Sequence, residues 1–455
     1  MLQPIDITQK SAIELAGDLR KGTLSSSEVL AAYRARIEGD TAGVNAFVTL
    51  DWDAASACAD ELDRMAARGQ FVGPLHGLPV AIKDCFDTAG LRTTHGSRSF
   101  SDHVPSSDAL HLARLRAAGA VIVGKTNTPE FTFSGQTTNF VSGTTRNPLN
   151  PEKTVAGSSG GAAAALAANM VALADGSDLG GSARTPAAWC GVVGMRPTSG
   201  LVPMDPNPAP FDGLSVPCPM ARTVSDLALM LSVMQGPTPN QPLAFTGAYP
   251  DPVEIDTPLT AGRVALSLSP FGASVEPSVQ AALAPIADVC RALGWRVDED
   301  TAPDLAPLLA YGDIIRGQCA LQIRAALDPD MTLATDSYRT ACAQGERQSF
   351  ADLIAYQTTR RHVWDSVATF FAHYDFALWP TATGLPFSAD LRDGEITEDW
   401  RTVTLTPTME LPSISIPMGQ SSDGMPVGLH ITGPKGSDAR LLRFARQIER
   451  QISGD

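Results

Sequence analysis

Two short turns of glycine and serine carry the residue types that acyl transfer needs. The first is Gly157-Ser158-Ser159-Gly160-Gly161 and the second is Asp178-Leu179-Gly180-Gly181-Ser182. Glycine has no Cβ, so backbone N–H groups in such turns can approach a ligand closely. Converging N–H groups of Leu179, Gly180 and Gly181 would bind a developing oxyanion. Ser182 ends the run, which brings its hydroxyl within about 3 Å of the same point, the geometry of attack on a carbonyl. Asp178 and Arg184 flank the turn with opposite charges that can pair and brace it. A single Gly-Gly-Ser is commonly an exposed turn, but here a second serine turn lies close in the chain.

The first turn reads three ways. Ser159 is central to a G-x-S-x-G sequence ahead of a helix, the pattern of a nucleophile elbow. The same N–H groups at a helix start would suit a phosphate, although no lysine follows the glycines as in a Walker A loop. A plain serine cap is the third reading.

A serine nucleophile needs a base. The seven histidines fall in no catalytic motif. Two lysines follow apolar runs: Lys83 after Leu78-Pro79-Val80-Ala81-Ile82, and Lys125 after Ala120-Val121-Ile122-Val123-Gly124. Burial at a strand end disfavours the ammonium form. To act at neutral pH, such a lysine must lose about 3 pH units, roughly 4 kcal/mol, to desolvation and nearby dipoles. The competing reading is a lysine that snorkels to water.

These residues require a scaffold. Hydrophobic periodicity predicts two helices within 8–37, with Ser25 and Glu28 as a cap, and a further helix over 53–68. A strand over 78–83 follows, then a helix over 109–118 feeding a strand at 121–123. The alanine-rich run predicts one central helix over 160–174, with a serine turn at either end, and then an apolar strand over 191–195. Helices are expected at 222–235, 277–293, 303–328, 347–373 and 437–452. Strands are expected at 264–268 and 296–297, with a hairpin of 413–418 and 427–431 about Asp423-Gly424. The proline-rich stretch 237–258 reads as a surface connector. Alternating helices and strands define an α/β protein.

Composition narrows the function. The chain has 455 residues, 44% of them hydrophobic, enough for a large core. Its net charge of −15 argues against binding nucleic acid through phosphates. The longest small-apolar run is too short to span a bilayer. No secretory leader is evident. Seven scattered cysteines without C-x-x-C suit free thiols in a reducing cytoplasm. No spacing suggests a metal, and H-E-x-x-H is absent.

The motifs resemble those of the amidase signature hydrolases. The likeness runs through GPLHGLPVAIKD (Gly73 to Asp84), VGKTNTPEF (Val123 to Phe131), AGSSGG and GSDLGGSARTPAAWCGVVGMRPT, and PMARTVSDLALML (Pro219 to Leu231). It continues more weakly in LPSISIPMG and GMPVGLHITGP. The resemblance implies a Ser–Ser–Lys arrangement: Ser182 as nucleophile, Ser158 as bridging serine beside a cis peptide, and Lys83 as base. The serines lie 24 residues apart, as in the family. Ser159, Asp178, Arg184 and Lys125 are then supporting residues. The departures Ala156, Leu179 and Ala183 leave these groups intact.

The resemblance also implies one domain over 1–455, a twisted mixed sheet buried between helices. N-terminal helices fill 1–70, a catalytic core spans 71–235 around the signature 156–198, and a C-terminal lobe of 259–455 roofs the pocket. Phe131, Phe133, Gln136 and Cys319 are candidate pocket residues. Thr185, three residues past Ser182, is neutral, so the sequence sets no cation there for a substrate carboxylate, and Arg184, Arg196 and Arg324 are the candidates to reach the pocket. The implied partner is a small-molecule amide, with no organic cofactor, no metal, no membrane and no nucleic acid; a homodimer is the family's common habit. Three other readings stay open: the amidase component of a tRNA-dependent amidotransferase, an idle amidase-like binding protein, and a Ser–His–Asp hydrolase built on Ser159.

Overall fold

Strands whose residues are buried on both faces organise the chain, as expected for a sheet covered by helices. A computed structural model describes residues 6–454, apart from 246, 248, 393–394 and 397–402. Eleven strands form one sheet: β1 (Phe47–Leu50), β2 (Pro79–Lys83), β3 (Val121–Thr126), β4 (Leu173–Asp178), β5 (Val193–Arg196), β6 (Val216–Ala221), β7 (Arg263–Leu266), β8 (Arg296–Asp298), β9 (Phe376–Pro380), β10 (Ser413–Gln420) and β11 (Pro426–Thr432). Their order is β1-β3-β2-β4-β6-β5-β10-β11-β9-β7-β8. The β3-β2-β4 and β9-β7-β8 groups are parallel. The strands between them pair antiparallel, as does β1 with β3. The protein is therefore a single α/β domain around a mixed sheet. Successive side chains of β2 enter different cores: Val80 and Ile82 join one apolar cluster and Ala81 the other.

The helices are α1 (Ala12–Lys21), α2 (Ser26–Glu38), α3 (Trp52–Ala66), α4 (Leu110–Ala117), α5 (Gly160–Ala167), α6 (Arg184–Cys190), α7 (Val224–Met234), α8 (Pro277–Leu283), α9 (Ile286–Ala292), α10 (Gly312–Leu327), α11 (Asp336–Arg347), α12 (Phe350–Phe371) and α13 (Asp438–Ser453). Ser25 and Glu28 form a reciprocal capping box at the start of α2.

The expected central helix over 160–174 is two elements. Helix α5 stops at Ala167, and Asn169 takes a left-handed conformation with φ 55°. The Asn169 N–H donates to the Leu166 carbonyl and the Met170 N–H to the Ala165 carbonyl, a helix stop with asparagine in the place usual for glycine. The chain then enters β4, so the two serine turns flank a helix–strand pair. The expected helix over 277–293 also divides, because Pro285 lies between α8 and α9. Helix α11 and strand β9 lie in stretches without a strong periodic signal.

Close packing explains the glycines that open α5. A Cβ on Gly161 would stand 2.3 Å from the Asn127 nitrogen, and one on Gly160 2.3 Å from the Thr137 hydroxyl. The same contacts bury this helix start, so it does not offer an open phosphate cradle. All seven cysteines are free thiols. Among the described residues no helix is long and apolar enough to cross a membrane.

Candidate active site

Parallel strands present their C-terminal ends on one side of a sheet, where loops can build a site. Lys83 ends β2, and Asp178 ends the adjacent strand β4. The Lys83 side chain is fully buried and donates to three hydroxyls: Ser158 Oγ at 2.7 Å, Ser159 Oγ at 2.9 Å and Ser177 Oγ at 2.9 Å. Burial pulls its pKa below the ordinary lysine value, against the pull of Cys85, Cys218, Asp175 and Asp178. Its backbone is fixed as well, with the Lys83 N–H on Asp175 Oδ1 at 2.5 Å. Asp175 Oδ2 meets His111 Nε2 at 2.8 Å.

The Gly157–Ser158 peptide is cis. Ser159 N–H donates to the Ser182 carbonyl at 2.9 Å, so backbone joins the two serine turns. Ser182 follows directly from the glycine turn and precedes α6. Asp178 shapes that turn: its carboxylate accepts the Gly181 N–H at 3.0 Å and the Ala183 N–H at 3.2 Å. Arg184 grips the same carboxylate through Nε at 2.9 Å and Nη2 at 2.7 Å, with both side chains fully buried. Burial alone would raise the Asp178 carboxyl, but the Arg184 guanidinium holds it well below the usual carboxylate range. Arg196 donates to the carbonyls of Asp178 and Leu214 and locks the far side of the loop.

The engagement of Gly181 corrects one expectation. Its N–H is already donated to Asp178 and serves the turn, while Leu179 and Gly180 line the cavity beside Ser182. That cavity measures about 600 Å³. Its wall includes Phe131, Phe133, Leu214, Ile315, Cys319 and Ile323, with Asp87, Asp212 and Asp313 among its polar groups. Burial pushes the Cys319 thiol up to about 12, so it is a wall group and not a nucleophile.

Other expected residues stand apart from the cavity. Gln136 is fully buried and donates to the Ala389 carbonyl at 2.6 Å, which makes it a loop tie. Lys125 is fully buried and donates to the Phe86 carbonyl and to Thr88 Oγ1, holding the loop after β2 and touching neither serine turn. Ser158 and Ser159 are fully buried and absent from the cavity wall. Ser159 therefore lacks the exposure of a nucleophile elbow. Arg184 and Arg196 are turned to Asp178 and its loop, and Arg324 pairs with Glu346 at 2.7 Å. Ser177 escaped the sequence reading. Its only signal is its place one residue before Asp178 at a strand end.

A mixed eleven-stranded sheet carrying a buried lysine, stacked serines and a catalytic-sized cavity at its strand ends defines a hydrolase scaffold. The chain matches the family model for Amidase over residues 28–442, and it belongs to the amidase family. It is an amide hydrolase by that membership. An acylamidase of Rhodococcus erythropolis is 33% identical over 453 residues, covering 96% of this chain and 94% of that protein. One component of the glutamyl-tRNA(Gln) amidotransferase of Thermosynechococcus vestitus is 34% identical, covering 96% of each. Among solved structures, a bacterial aryl acylamidase of the amidase signature family superposes with a TM-score of 0.90 at 28% identity, covering 97% of this chain and 96% of that one. A 6-aminohexanoate cyclic dimer hydrolase complexed with substrate gives 0.88 at 28% identity, covering 98% of each.

Proposed function

We propose that this protein hydrolyses a carboxamide with an apolar acyl or aryl portion through an acyl-enzyme on Ser182. One observation carries the reading: Ser182 lines an apolar cavity, the fully buried Lys83 donates to Ser158 at 2.7 Å, and the Ser159 N–H ties the two serine turns together at the Ser182 carbonyl. Neutral Lys83 takes a proton from Ser158, which takes one from Ser182. The Ser182 oxygen then attacks the amide carbon. The N–H groups of Leu179 and Gly180 hold the oxyanion, each worth roughly 2.7–4 kcal/mol in such sites. The relay returns the proton to the leaving nitrogen, the C–N bond breaks, and ammonia or an amine departs. Water then cleaves the ester on Ser182 and restores the serine.

The test is a panel of acetamide, hexanamide, benzamide, anilides and L-glutamine, followed by release of ammonia or aniline. Turnover of the apolar members with little on acetamide or glutamine is the expected result. A preference for glutamine would favour the second reading, the amidase component of a tRNA-dependent amidotransferase, which the 34% identity to such a protein supports. The cavity weighs against it. Arg316 is the one arginine on its wall among the described residues, and it donates to the Phe133 carbonyl at 3.0 Å and lies over that ring. A glutamine α-carboxylate would need a cation facing it.

A further inference from the structure

Sequence spacing gives no hint of a metal, yet the fold gathers a suitable donor set beside the cavity. A carboxylate oxygen of Asp87 and one ring nitrogen each of His95 and His103 all lie within 4.8 Å of one another. We propose that these three residues bind a late first-row divalent cation, Zn²⁺ foremost, in the wall of the substrate cavity.

The donor chemistry selects the class of ion. Two imidazoles and one carboxylate suit Zn²⁺, Co²⁺ or Ni²⁺, whereas Mg²⁺ and Ca²⁺ favour oxygen ligands throughout. Three protein ligands leave a tetrahedral ion one position for water or a substrate oxygen. Asp87 and His95 line the same cavity as Ser182, so that position is within reach of a bound substrate.

The Asp87 environment gives an independent reason. Its Oδ1 is buried and has no hydrogen-bond partner. His95 Nε2 stands 3.6 Å away, beyond hydrogen-bond reach. A buried carboxylate oxygen is normally satisfied, and a cation held between these atoms would satisfy it.

The three residues are also held in place by backbone. The His95 N–H donates to the Asp84 carbonyl at 2.9 Å, and the Asp84 carboxylate accepts the Thr94 N–H at 3.0 Å. The Thr93 N–H donates to the His103 carbonyl at 2.9 Å, and the Ala109 N–H to the Asp87 carbonyl at 2.9 Å. Phe100 and Phe131 flank the His95 ring and keep its surroundings apolar. Ligand loops fixed in this way lower the ordering cost of binding.

The experiment is calorimetric titration of chelator-treated, full-length protein with ZnCl2, checked by elemental analysis after dialysis. One equivalent should bind and raise the melting temperature. His103→Ala and His95→Ala should each lose that equivalent while keeping the wild-type circular dichroism. Asp87→Asn, which strips a direct ligand of its charge, should weaken binding by more than the roughly 100-fold that loss of an outer-shell partner costs. The Co²⁺-loaded protein should show visible d–d bands without thiolate charge transfer. Failure of the folded wild type to bind Zn²⁺, retention of the equivalent in both histidine variants, or a thiolate signature would overturn the proposal. These readouts do not involve amide turnover, so they succeed or fail apart from the proposed reaction.

Discussion

The Lys83 Nζ donates to three serine hydroxyls and, among the described residues, to no carboxylate. That environment favours the neutral amine, and the proposed relay requires it. The pH dependence follows in sign. The neutral form grows as pH rises through the lowered Lys83 pKa, so kcat/KM climbs over that range and levels off at a lower pH than the ~10.4 of free lysine would give. A rising limb that starts only near pH 10 would show a lysine with ordinary solvation. Lys83→Arg keeps its charge at all accessible pH and should be inactive at each. Ser177→Ala removes one of the three hydroxyl partners, and kcat/KM should fall by about 10-fold, the worth of one buried hydrogen bond to the neutral amine. Unchanged kinetics would remove Ser177 from the relay's support. The two Gly-Ser turns stood out in sequence, whereas Lys83 and Lys125 looked alike after their apolar runs, and only the resemblance to the amidase signature motifs singled out Lys83. Ser177 was not, since one serine in a strand end resembles any other.

At the scale of elements, the site depends on how closely α5 and the turn before α6 approach their neighbours. Gly161→Ala would set a Cβ against the Asn127 backbone, which cannot swing aside as a flexible side chain would. The expected cost is about 1–3 kcal/mol in urea denaturation, with loss of activity as the Ser158 turn shifts. Wild-type stability in this variant would show that the contact relaxes freely. Asp178→Ala strips the buried Arg184 of its partner and frees the Gly181 and Ala183 N–H groups. Breaking a buried pair in this way costs about 3–5 kcal/mol. A melting temperature near wild type would contradict the bracing role given to Asp178. The Asp178–Arg184 pairing was legible from opposite charges on a short turn. The division of residues 160–174 was not, because alanine and leucine favour a helix throughout and only Asn169 marks the stop. The use of the Gly181 N–H was equally hidden, since sequence does not say which way a peptide plane faces.

At the scale of the molecule, one sheet presents Lys83 and Asp178 at the ends of β2 and β4, while α10 and the loops around Phe131 and Leu214 line the adjoining cavity. The α/β class was legible from alternating helix and strand periods, and the mixed sheet from the resemblance to the amidase signature hydrolases. The cavity was legible only in part. Phe131, Phe133 and Cys319 reach it from distant segments, but Gln136, close in sequence to both phenylalanines, turns to Ala389 instead. Long-range packing decides such choices, and periodicity contains no record of it. The apolar wall predicts that each methylene added to a short acyl chain gains about 0.8 kcal/mol of binding, close to fourfold in kcat/KM, until the cavity fills. A flat series from acetamide to hexanamide would place the acyl group outside this cavity.

Covalent labelling of the nucleophile tests the Ser182 relay most directly. Wild-type protein, Ser182→Ala and Ser159→Ala would be treated with a fluorophosphonate, digested and read by mass spectrometry, with amide turnover measured in parallel. The relay predicts a single adduct on Ser182, none in Ser182→Ala, and a loss of turnover of roughly 10⁶-fold in that variant. Ser159→Ala should still be labelled at Ser182. An adduct on Ser159, or undiminished turnover by Ser182→Ala, would contradict it.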